Sequence, residues 1–333
     1  MIDYPLIWGI LIATAILIYV ILDGFDLGVG ILFPFLESDE QRSTAMNTVA
    51  PVWDGNETWL ILGGGGLFAT FPLAYAVLMP ALYMPVLLMM IGLIFRGVSF
   101  EYRFQDKAHE KYWDFAFTAG SMLAALCQGI ALGAFVQGID VVGRAYAGGW
   151  WDWLSPFSLL TGIALVVGYS LLGSTWLVMR TEGALREKAI RYSRITLLLT
   201  IGFIFLVSLA TLSLDPQFMT RWTSWPYMLY ASPVPIAVAA AGFYAWRSLG
   251  QDKDYKAFLS AITLFILCFI GLAIDMYPYI VPMELTIWQA AAPDNSLSFL
   301  LVGTLFLLPM ILGYTAYAYW VFRGKVKDGE GYH

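Results

Sequence analysis

Charged residues are scarce in this sequence. Asp, Glu, Lys and Arg make up only 13% of its 333 residues, whereas hydrophobic residues make up 59%. An ordinary soluble domain has roughly 25% charged residues. The mean hydropathy of the chain is +0.71. A soluble core could not bury so much apolar surface, so the composition excludes a soluble globular protein and predicts an all-α integral membrane protein.

Histidine and cysteine are nearly absent. The two histidines are His109, in a polar stretch, and His333, at the last position. They cannot form the pair that ligates a haem between spans, and they argue against a zinc or copper site built on imidazole. Cys127 and Cys268 lie inside apolar segments and cannot hold an iron–sulfur cluster. If the protein belongs to a redox system, we expect its cofactors on another subunit.

Long apolar runs dominate the chain, and nine of them are long enough to span a membrane. The first has neither the basic start nor the cleavage site of a signal peptide, so we expect it to remain as a span. The nine predicted spans cover residues 6–36, 57–75, 79–95, 115–137, 156–179, 195–214, 225–246, 257–280 and 297–322.

The basic residues predict the orientation of these spans, because Lys and Arg are enriched in cytoplasmic loops. With nine spans, 16 of the 18 basic residues fall on one side of the membrane. The last of these 16 along the chain is Lys327, in the C-terminal tail. The two exceptions are Arg144 and Arg221. This bias predicts a periplasmic N-terminus and a cytoplasmic C-terminus, whereas an eight-span count would scramble it.

A weak internal sequence similarity relates the first and fifth spans. Tyr-Val-Ile-Leu-Asp-Gly at 19–24 is similar to Tyr-Ser-Leu-Leu-Gly at 169–173, and the two predicted spans run in the same direction. Each is followed by a cytoplasmic loop and a returning span. The similarity predicts two four-helix bundles plus one peripheral helix, all within a single polytopic membrane domain over residues 1–333.

Two pairs of acids stand close to the first predicted loop. Asp23 and Asp26 form one pair and Asp54 and Glu57 the other, each with the i,i+3 spacing that places both carboxylates on one helix face. Acids inside spans are costly and mostly face a bundle interior or a water-filled cavity. All four are predicted to lie in the cytoplasmic half of the membrane, where a cluster would suit proton carriage.

Simpler interpretations compete with the functional ones. Asp54 and Glu57 match a capping box at the start of the second span, and for Asp54 this interpretation and proton handling are evenly matched. Asp275 lies close to the predicted end of a span, which favours the membrane interface. Arg96 could pair with one of the acids, but snorkelling to the cytoplasmic edge is the cheaper interpretation.

Several motifs together carry a resemblance that runs from end to end of the chain. They are Met-Ile-Asp-Tyr at 1–4, Asp-Gly-Phe-Asp-Leu-Gly-Val-Gly at 23–30, Ala-Pro-Val-Trp-Asp-Gly-Asn-Glu-Thr-Trp-Leu at 50–60, Phe-Arg-Gly-Val-Ser-Phe-Glu-Tyr-Arg at 95–103, Tyr-Ile-Val-Pro at 279–282 and Thr-Ile-Trp-Gln-Ala-Ala at 286–291. The sequence closely resembles subunit II of the cytochrome bd-type quinol oxidases.

That resemblance implies a partner and its cofactors. Subunit II is haem-free and pairs with a larger subunit I, which holds two b-type haems, the d-type haem and the quinol site. The complex oxidises quinol and reduces dioxygen to water in the bacterial cytoplasmic membrane. Some relatives also hold a structural quinone in subunit II, and a small accessory single-span subunit is a further partner to consider.

The resemblance also implies roles for particular residues. The aspartate that matches Asp54 is implicated in a cytoplasmic proton path, with Asp26 as the second member and Asp23 beside it. The tryptophan that matches Trp59 is associated with a hydrophobic route for oxygen. Glu57 departs from relatives that carry an amide there, which leaves its role open among the proton-transfer candidates. The implied function is a haem-free subunit that scaffolds subunit I and supplies its protons.

A proton-coupled transporter acting alone is the alternative from a different class. It would also explain nine spans and buried acids. No predicted span is clearly broken around a substrate site, as spans of many transporters are, and the motif match favours the oxidase subunit.

Overall fold

The protein is described by a computed structural model that covers residues 2–251 and 253–326. Lys327 and His333, which entered the sequence predictions, lie outside the described residues. The described chain forms fourteen α-helices: α1 Tyr4–Leu32, α2 Asp39–Val49, α3 Trp53–Thr70, α4 Pro72–Ala81, α5 Tyr83–Gln105, α6 Glu110–Gln137, α7 Pro156–Arg180, α8 Gly183–Leu212, α9 Pro216–Thr223, α10 Tyr227–Ala231, α11 Pro233–Ser248, α12 Tyr255–Met276, α13 Ile287–Ala290 and α14 Asp294–Val321.

Two short antiparallel hairpins interrupt the helices. The first pairs β1, Val141–Val142, with β2, Ala145–Tyr146, and the second pairs β3, Tyr279–Val281, with β4, Leu285–Thr286. Both lie in connections between long helices. The predicted all-α membrane class therefore holds, with these hairpins as a small addition that the hydropathy pattern did not indicate.

Eight helical segments in the described part of the chain are long and apolar enough to cross a membrane. They are α1, α5, α6, α7, α8, the α10–α11 pair, α12 and α14. The predicted span at 57–75 falls mainly on α3, which is not among the eight. A polar first turn and the glycine run at 63–66 lower the hydropathy of this 18-residue helix.

Helix α3 nevertheless lies antiparallel to α1 along much of its length. Asn56 at its start contacts Asp26, whereas Gly66, ten residues later, lies against Ile12. Gly63 faces Ile16 between these points, at 3.2 Å from the position that a Cβ would occupy. Gly63 and Gly66 thus let the two helices approach closely.

The predicted span at 79–95 is divided in the structure. Helix α4 ends at Ala81 and α5 begins at Tyr83. Pro85 has no N–H to donate to the Ala81 carbonyl, which explains the break. Helix α5 then continues to Gln105, ten residues beyond the predicted end, because Arg96 and Arg103 are buried inside it rather than closing it.

Close contacts between small residues set the packing around α7. Gly24 and Gly28 of α1 lie against Tyr169, and Gly28 also meets Gly173, so α1 and α7 run in the same direction. A Cβ at Gly28 would overlap the Tyr169 carbonyl. Small residues on both helices therefore let α1 and α7 approach closely.

The remaining contacts connect two groups of helices. In the first, α1 packs on α3 and α6, and α6 packs on α5; in the second, α7 packs on α8 and α12, and α11 packs on α8 and α12. The groups meet where α7 contacts α1 and α6. An aromatic cluster of Phe25, Trp176 and Phe258 fills this junction. Helix α14 lies outside, against α1 and α3.

Candidate functional site

Arg96 is the centre of a buried ionic cluster. Its side chain is fully shielded from solvent, and its Nη1 atom lies 2.5 Å from Asp23 Oδ1 and 3.1 Å from Glu57 Oε1. Its Nη2 atom lies 3.7 Å from Asp26 Oδ2. The snorkelling interpretation of Arg96 is therefore wrong. The guanidinium turns inward because three carboxylates from α1 and α3 offer it charge-assisted contacts that the membrane edge does not.

Asp23 and Asp26 share one face of α1, as their spacing predicts. Asp23 is 1% exposed and Asp26 is 0% exposed. Asn56 on α3 donates a 2.7 Å hydrogen bond from Nδ2 to Asp26 Oδ2. Three helices thus supply the cluster: α1 gives two acids, α3 gives Glu57 and the amide, and α5 gives the base.

The capping-box interpretation of Asp54 and Glu57 is wrong. The cap position of helix α3 is Val52, two residues before Asp54, and it has no side-chain cap hydrogen bond. Asp54 lies within the first turn of α3, where a negatively charged carboxylate is stabilised by the positive end of the helix dipole. Glu57 cannot reach back to the cap because its carboxylate binds Arg96.

Asp54 stands apart from the other three acids. Its side chain is exposed and forms no hydrogen bond or ion pair within the described chain. It lines a cavity of about 850 Å³ between α3, α5 and α14. The cavity wall consists of residues 50–56, 100, 101, 104, 105, 314, 315, 318 and 319. The four-acid cluster predicted from sequence is thus a group of three, with Asp54 at the adjoining cavity.

The surroundings of Arg96 are aromatic on one side. Its Cζ atom lies 5.7 Å from the ring centroids of both Trp53 and Phe100, within cation–π range. On the other side two carboxylate oxygens, Asp23 Oδ2 and Asp26 Oδ1, are buried without a hydrogen-bond partner in the described chain. Arg96 Nε and Nη2 also lack a hydrogen-bond partner there, so the cluster contains unpaired donor atoms as well as spare acceptor atoms.

Trp59 lies one turn further along α3 than the cluster. Its side chain is 2% exposed and packs with Ala15 and Tyr19 of α1, and with Leu308 and Ile311 of α14. This position makes it a fixed part of the interface between three helices. Its predicted role in an oxygen route stays a prediction.

Arg103 is a buried base that the sequence reasoning missed. It is fully shielded and bonds to Asp39 at 2.6 Å, to Glu110 at 2.9 Å and to Asp114 at 2.6 Å. The seven-residue spacing from Arg96 places both bases on the same side of α5, two turns apart. That spacing was the available signal.

Asp275 lies at the last turn of α12 and belongs to a separate contact. Its Oδ1 accepts a 2.7 Å hydrogen bond from Trp222 Nε1, and its carboxyl group is half-buried. This agrees with the predicted place close to a span end, away from the Arg96 cluster.

Among the described residues, His109, Cys127 and Cys268 take no part in a group that could hold a metal ion. His109 is exposed and pairs with Asp106, and both Cys127 and Cys268 are free thiols. Across residues 2–251 and 253–326, no group of three or more His, Cys, Asp or Glu side chains is placed to hold a metal ion.

Comparison of the sequence with known proteins identifies the family of this chain. The family model described as cytochrome bd terminal oxidase subunit II matches residues 4–322. The chain belongs to that family. Subunit 2 of the cytochrome bd-I ubiquinol oxidase of Escherichia coli strain K12 is 30% identical over 372 aligned positions, which cover 99% of this chain and 98% of the relative. Subunit 2 of the cytochrome bd ubiquinol oxidase of Bacillus subtilis is 27% identical and covers 97% of both chains.

A solved bd oxidase structure supports the fold. The bd oxidase from Geobacillus thermodenitrificans contains a chain that matches with a TM-score of 0.79 and 17% identity, over 96% of this chain and 99% of that one. The resemblance drawn from the motifs is thus confirmed. As a bd oxidase subunit II, the chain is a multi-pass protein of the bacterial inner membrane, part of a respiratory oxidoreductase and of a complex with subunit I.

Proposed function

We propose that this subunit scaffolds the haem-bearing subunit I and supplies a cytoplasmic proton path to the site of dioxygen reduction to water. The path comprises Asp54 at the cavity, the buried acids Asp26 and Asp23, and the partly buried Glu57. The single observation that carries the proposal is the grouping of three carboxylates around one guanidinium, two of them buried and Glu57 partly buried, beside a cavity whose wall holds a fourth carboxylate.

The charge balance of the cluster supports proton handling. Three acids face one base, so full ionisation would leave two uncompensated negative charges in a buried site. Burying unpaired charge is expensive, and taking up a proton relieves that cost. Asp23 Oδ2 and Asp26 Oδ1 are the spare acceptors within the described chain. Such a cluster can accept a proton from the cavity side and release it when a stronger acceptor draws on it.

We further propose nine membrane crossings, with α3 as the second. An 18-residue helix is about 27 Å long, close to the roughly 30 Å hydrocarbon thickness, and α3 accompanies α1 over much of that distance. Nine crossings keep 16 of the 18 basic residues on the cytoplasmic side. The N-terminus is then periplasmic, and Asp23 lies about 29 Å along α1, in the cytoplasmic half.

The packing supports two four-helix bundles and a peripheral helix. We assign α1, α3, α4–α5 and α6 to the first bundle and α7, α8, α10–α11 and α12 to the second, with α14 outside. Helix α14 has a single buried residue, Leu297, within this chain, which leaves most of its surface for lipid or subunit I.

The catalytic cofactors belong to subunit I in this proposal. The relatives are named as subunits of ubiquinol oxidases, and we infer that the b- and d-type haems and the quinol site of this complex lie on the partner. A structural quinone and a small single-span subunit remain further candidate components. Trp59 is proposed to border the oxygen route through its contacts with α1 and α14.

Replacement of Asp54 by asparagine tests the proton path. The amide keeps the size and polarity of the side chain but cannot carry a proton, and Asp54 holds no structural hydrogen bond in the described chain. The Asp54→Asn complex should therefore assemble with full haem content and turn over at least tenfold more slowly with quinol and oxygen.

The control for this experiment is Asp294→Asn, an exposed acid in the first turn of α14. It should leave both haem content and turnover unchanged. Wild-type turnover of Asp54→Asn at every pH would remove Asp54 from the path.

A further inference from the structure

Tyr319 connects the outermost helix to the acid cluster. It lies near the cytoplasmic end of α14, and its ring contacts the edges of Phe25 and Trp176 at centroid distances of 6.4 Å each. Its hydroxyl group donates a 2.9 Å hydrogen bond to Asn56 Oδ1. Most of α14 faces away from this chain, so this bond is a specific tie between α14 and α3.

The Asn56 side chain connects Tyr319 to Asp26, because it accepts a hydrogen bond from the first and donates one to the second. Its Nδ2 atom donates to Asp26 Oδ2 at 2.7 Å and to the Leu22 carbonyl at 3.3 Å. The reverse amide orientation would direct Oδ1 at two acceptors and Nδ2 at the Tyr319 hydroxyl. The three neighbours therefore define one orientation of the amide, with its oxygen on Tyr319 and its nitrogen on Asp26.

This orientation determines how Asp26 presents its two oxygens. Oδ2 faces the Asn56 amide and, at 3.7 Å, the guanidinium of Arg96. Oδ1 is buried without a hydrogen-bond partner in the described chain, so it is the oxygen left to take a proton. If the amide were released, the carboxylate could rotate and exchange the two oxygens.

We propose that Tyr319 is a positioning residue for proton transfer at Asp26, acting through the Asn56 amide. The inference rests on the proposed function of the acid cluster and extends it to α14. Tyr319 and Asn56 both line the cavity that also holds Asp54. The Tyr319–Asn56 pair thus forms the wall between the cavity and Asp26, and it holds the acid in the geometry for accepting a proton from that side.

The test compares Tyr319→Phe with Tyr317→Phe in the complex with subunit I. Tyr317 lies on the same helix, is 62% exposed, and its hydroxyl forms no hydrogen bond in the described chain. Loss of one neutral hydrogen bond predicts a fall in turnover of about two- to tenfold for Tyr319→Phe. We also expect a shifted pH profile of oxygen consumption at unchanged haem content. Tyr317→Phe should match the wild type.

A double-mutant cycle tests whether Tyr319 acts through Asn56. In an Asn56→Ala background, Tyr319→Phe should cause no further loss, because the amide that it positions is gone. Additive losses would overturn the proposal. So would a Tyr319→Phe complex with less haem but wild-type turnover per haem and a wild-type pH profile, since that result indicates a packing role alone.

The outcome also separates this inference from the proposed function. If Asp54→Asn and Asp26→Asn slow turnover while Tyr319→Phe behaves as the wild type, only the role of Tyr319 falls. If both aspartate variants keep wild-type turnover and pH profile, the proton path falls, and the positioning role falls with it.

Discussion

Arg96 Nη1 lies 2.5 Å from Asp23 Oδ1, and the two side chains are 0% and 1% exposed. The pair joins α5 to α1, and the same guanidinium reaches Glu57 on α3. A buried base that holds acids from two other helices couples the packing of the first helix group to its charge. A substitution at Arg96 should therefore change both the stability of the subunit and the protonation of the neighbouring carboxylates.

Removal of the Arg96 charge should destabilise the subunit strongly. In Arg96→Met the buried carboxylates of Asp23 and Asp26 and the partly buried one of Glu57 lose their base, and breaking a buried ion pair costs about 3–5 kcal/mol. Thermal unfolding of the purified complex, followed by haem release, measures the effect. Arg42, at 31% exposure and 3.4 Å from Asp114, provides the control. Arg42→Met should cost about 1 kcal/mol or less, and equal losses at both sites would contradict the burial argument.

Gly28 should tolerate no side chain. A Cβ there would overlap the Tyr169 carbonyl and the Gly173 backbone, so Gly28→Ala must push α1 from α7. We expect a loss of about 1–3 kcal/mol or more, as for overpacked cores. Gly202→Ala, in α8, is the matched control because nothing lies within 4 Å of its added Cβ. Unfolding of the two complexes in denaturant compares them, and equal stability would refute the close contact.

Much of the fold can be predicted from sequence because a segment in lipid must satisfy its own backbone hydrogen bonds, which restricts it to few structures. Apolar runs predicted the long helices, whereas the orientation inferred from the Lys and Arg bias stays a prediction. Exact ends were missed where polar residues are buried. Helix α5 runs on to Gln105 because Arg96 and Arg103 find acidic partners on other helices, and a single sequence does not show those partners.

The site was partly predictable for a similar reason. The i,i+3 spacing placed Asp23 and Asp26 on one face, as found. It could not show that Glu57 turns to Arg96 while Asp54 faces a cavity, because both fit a capping box equally well. Tyr319 lies 263 residues from Asn56, and a bond over such a separation has no local signal.

The contact at Asp254 should give the stability a pH dependence. Partial burial opposes ionisation, but hydrogen bonds from Arg186 and Lys325 outweigh it and lower the pKa of Asp254. A lowered pKa stabilises the folded state above the unfolded value of about 3.9, and this stabilisation is lost as the pH falls. Asp254→Asn should therefore cost about 1 kcal/mol at neutral pH.

That difference should shrink as the pH falls through the acid range. Melting temperatures of the wild-type and Asp254→Asn complexes over a pH series measure it. The control is Glu37→Gln, which removes an ion pair with Lys188. Because the Glu37 side chain is 78% exposed, this variant should change the melting temperature little at any pH. A gap between the wild type and Asp254→Asn that widens in acid would contradict the assignment.

We propose that the acids around Arg96 carry protons to the oxygen-reducing partner. Oxygen consumption by the Asp26→Asn complex with quinol, over a range of pH and normalised to haem, tests it most directly. Asp275→Asn, an acid at the far end of α12, is the control. We expect full haem content in both complexes, with turnover lowered at least tenfold in Asp26→Asn and unchanged in Asp275→Asn. Wild-type turnover of Asp26→Asn at every pH would contradict it.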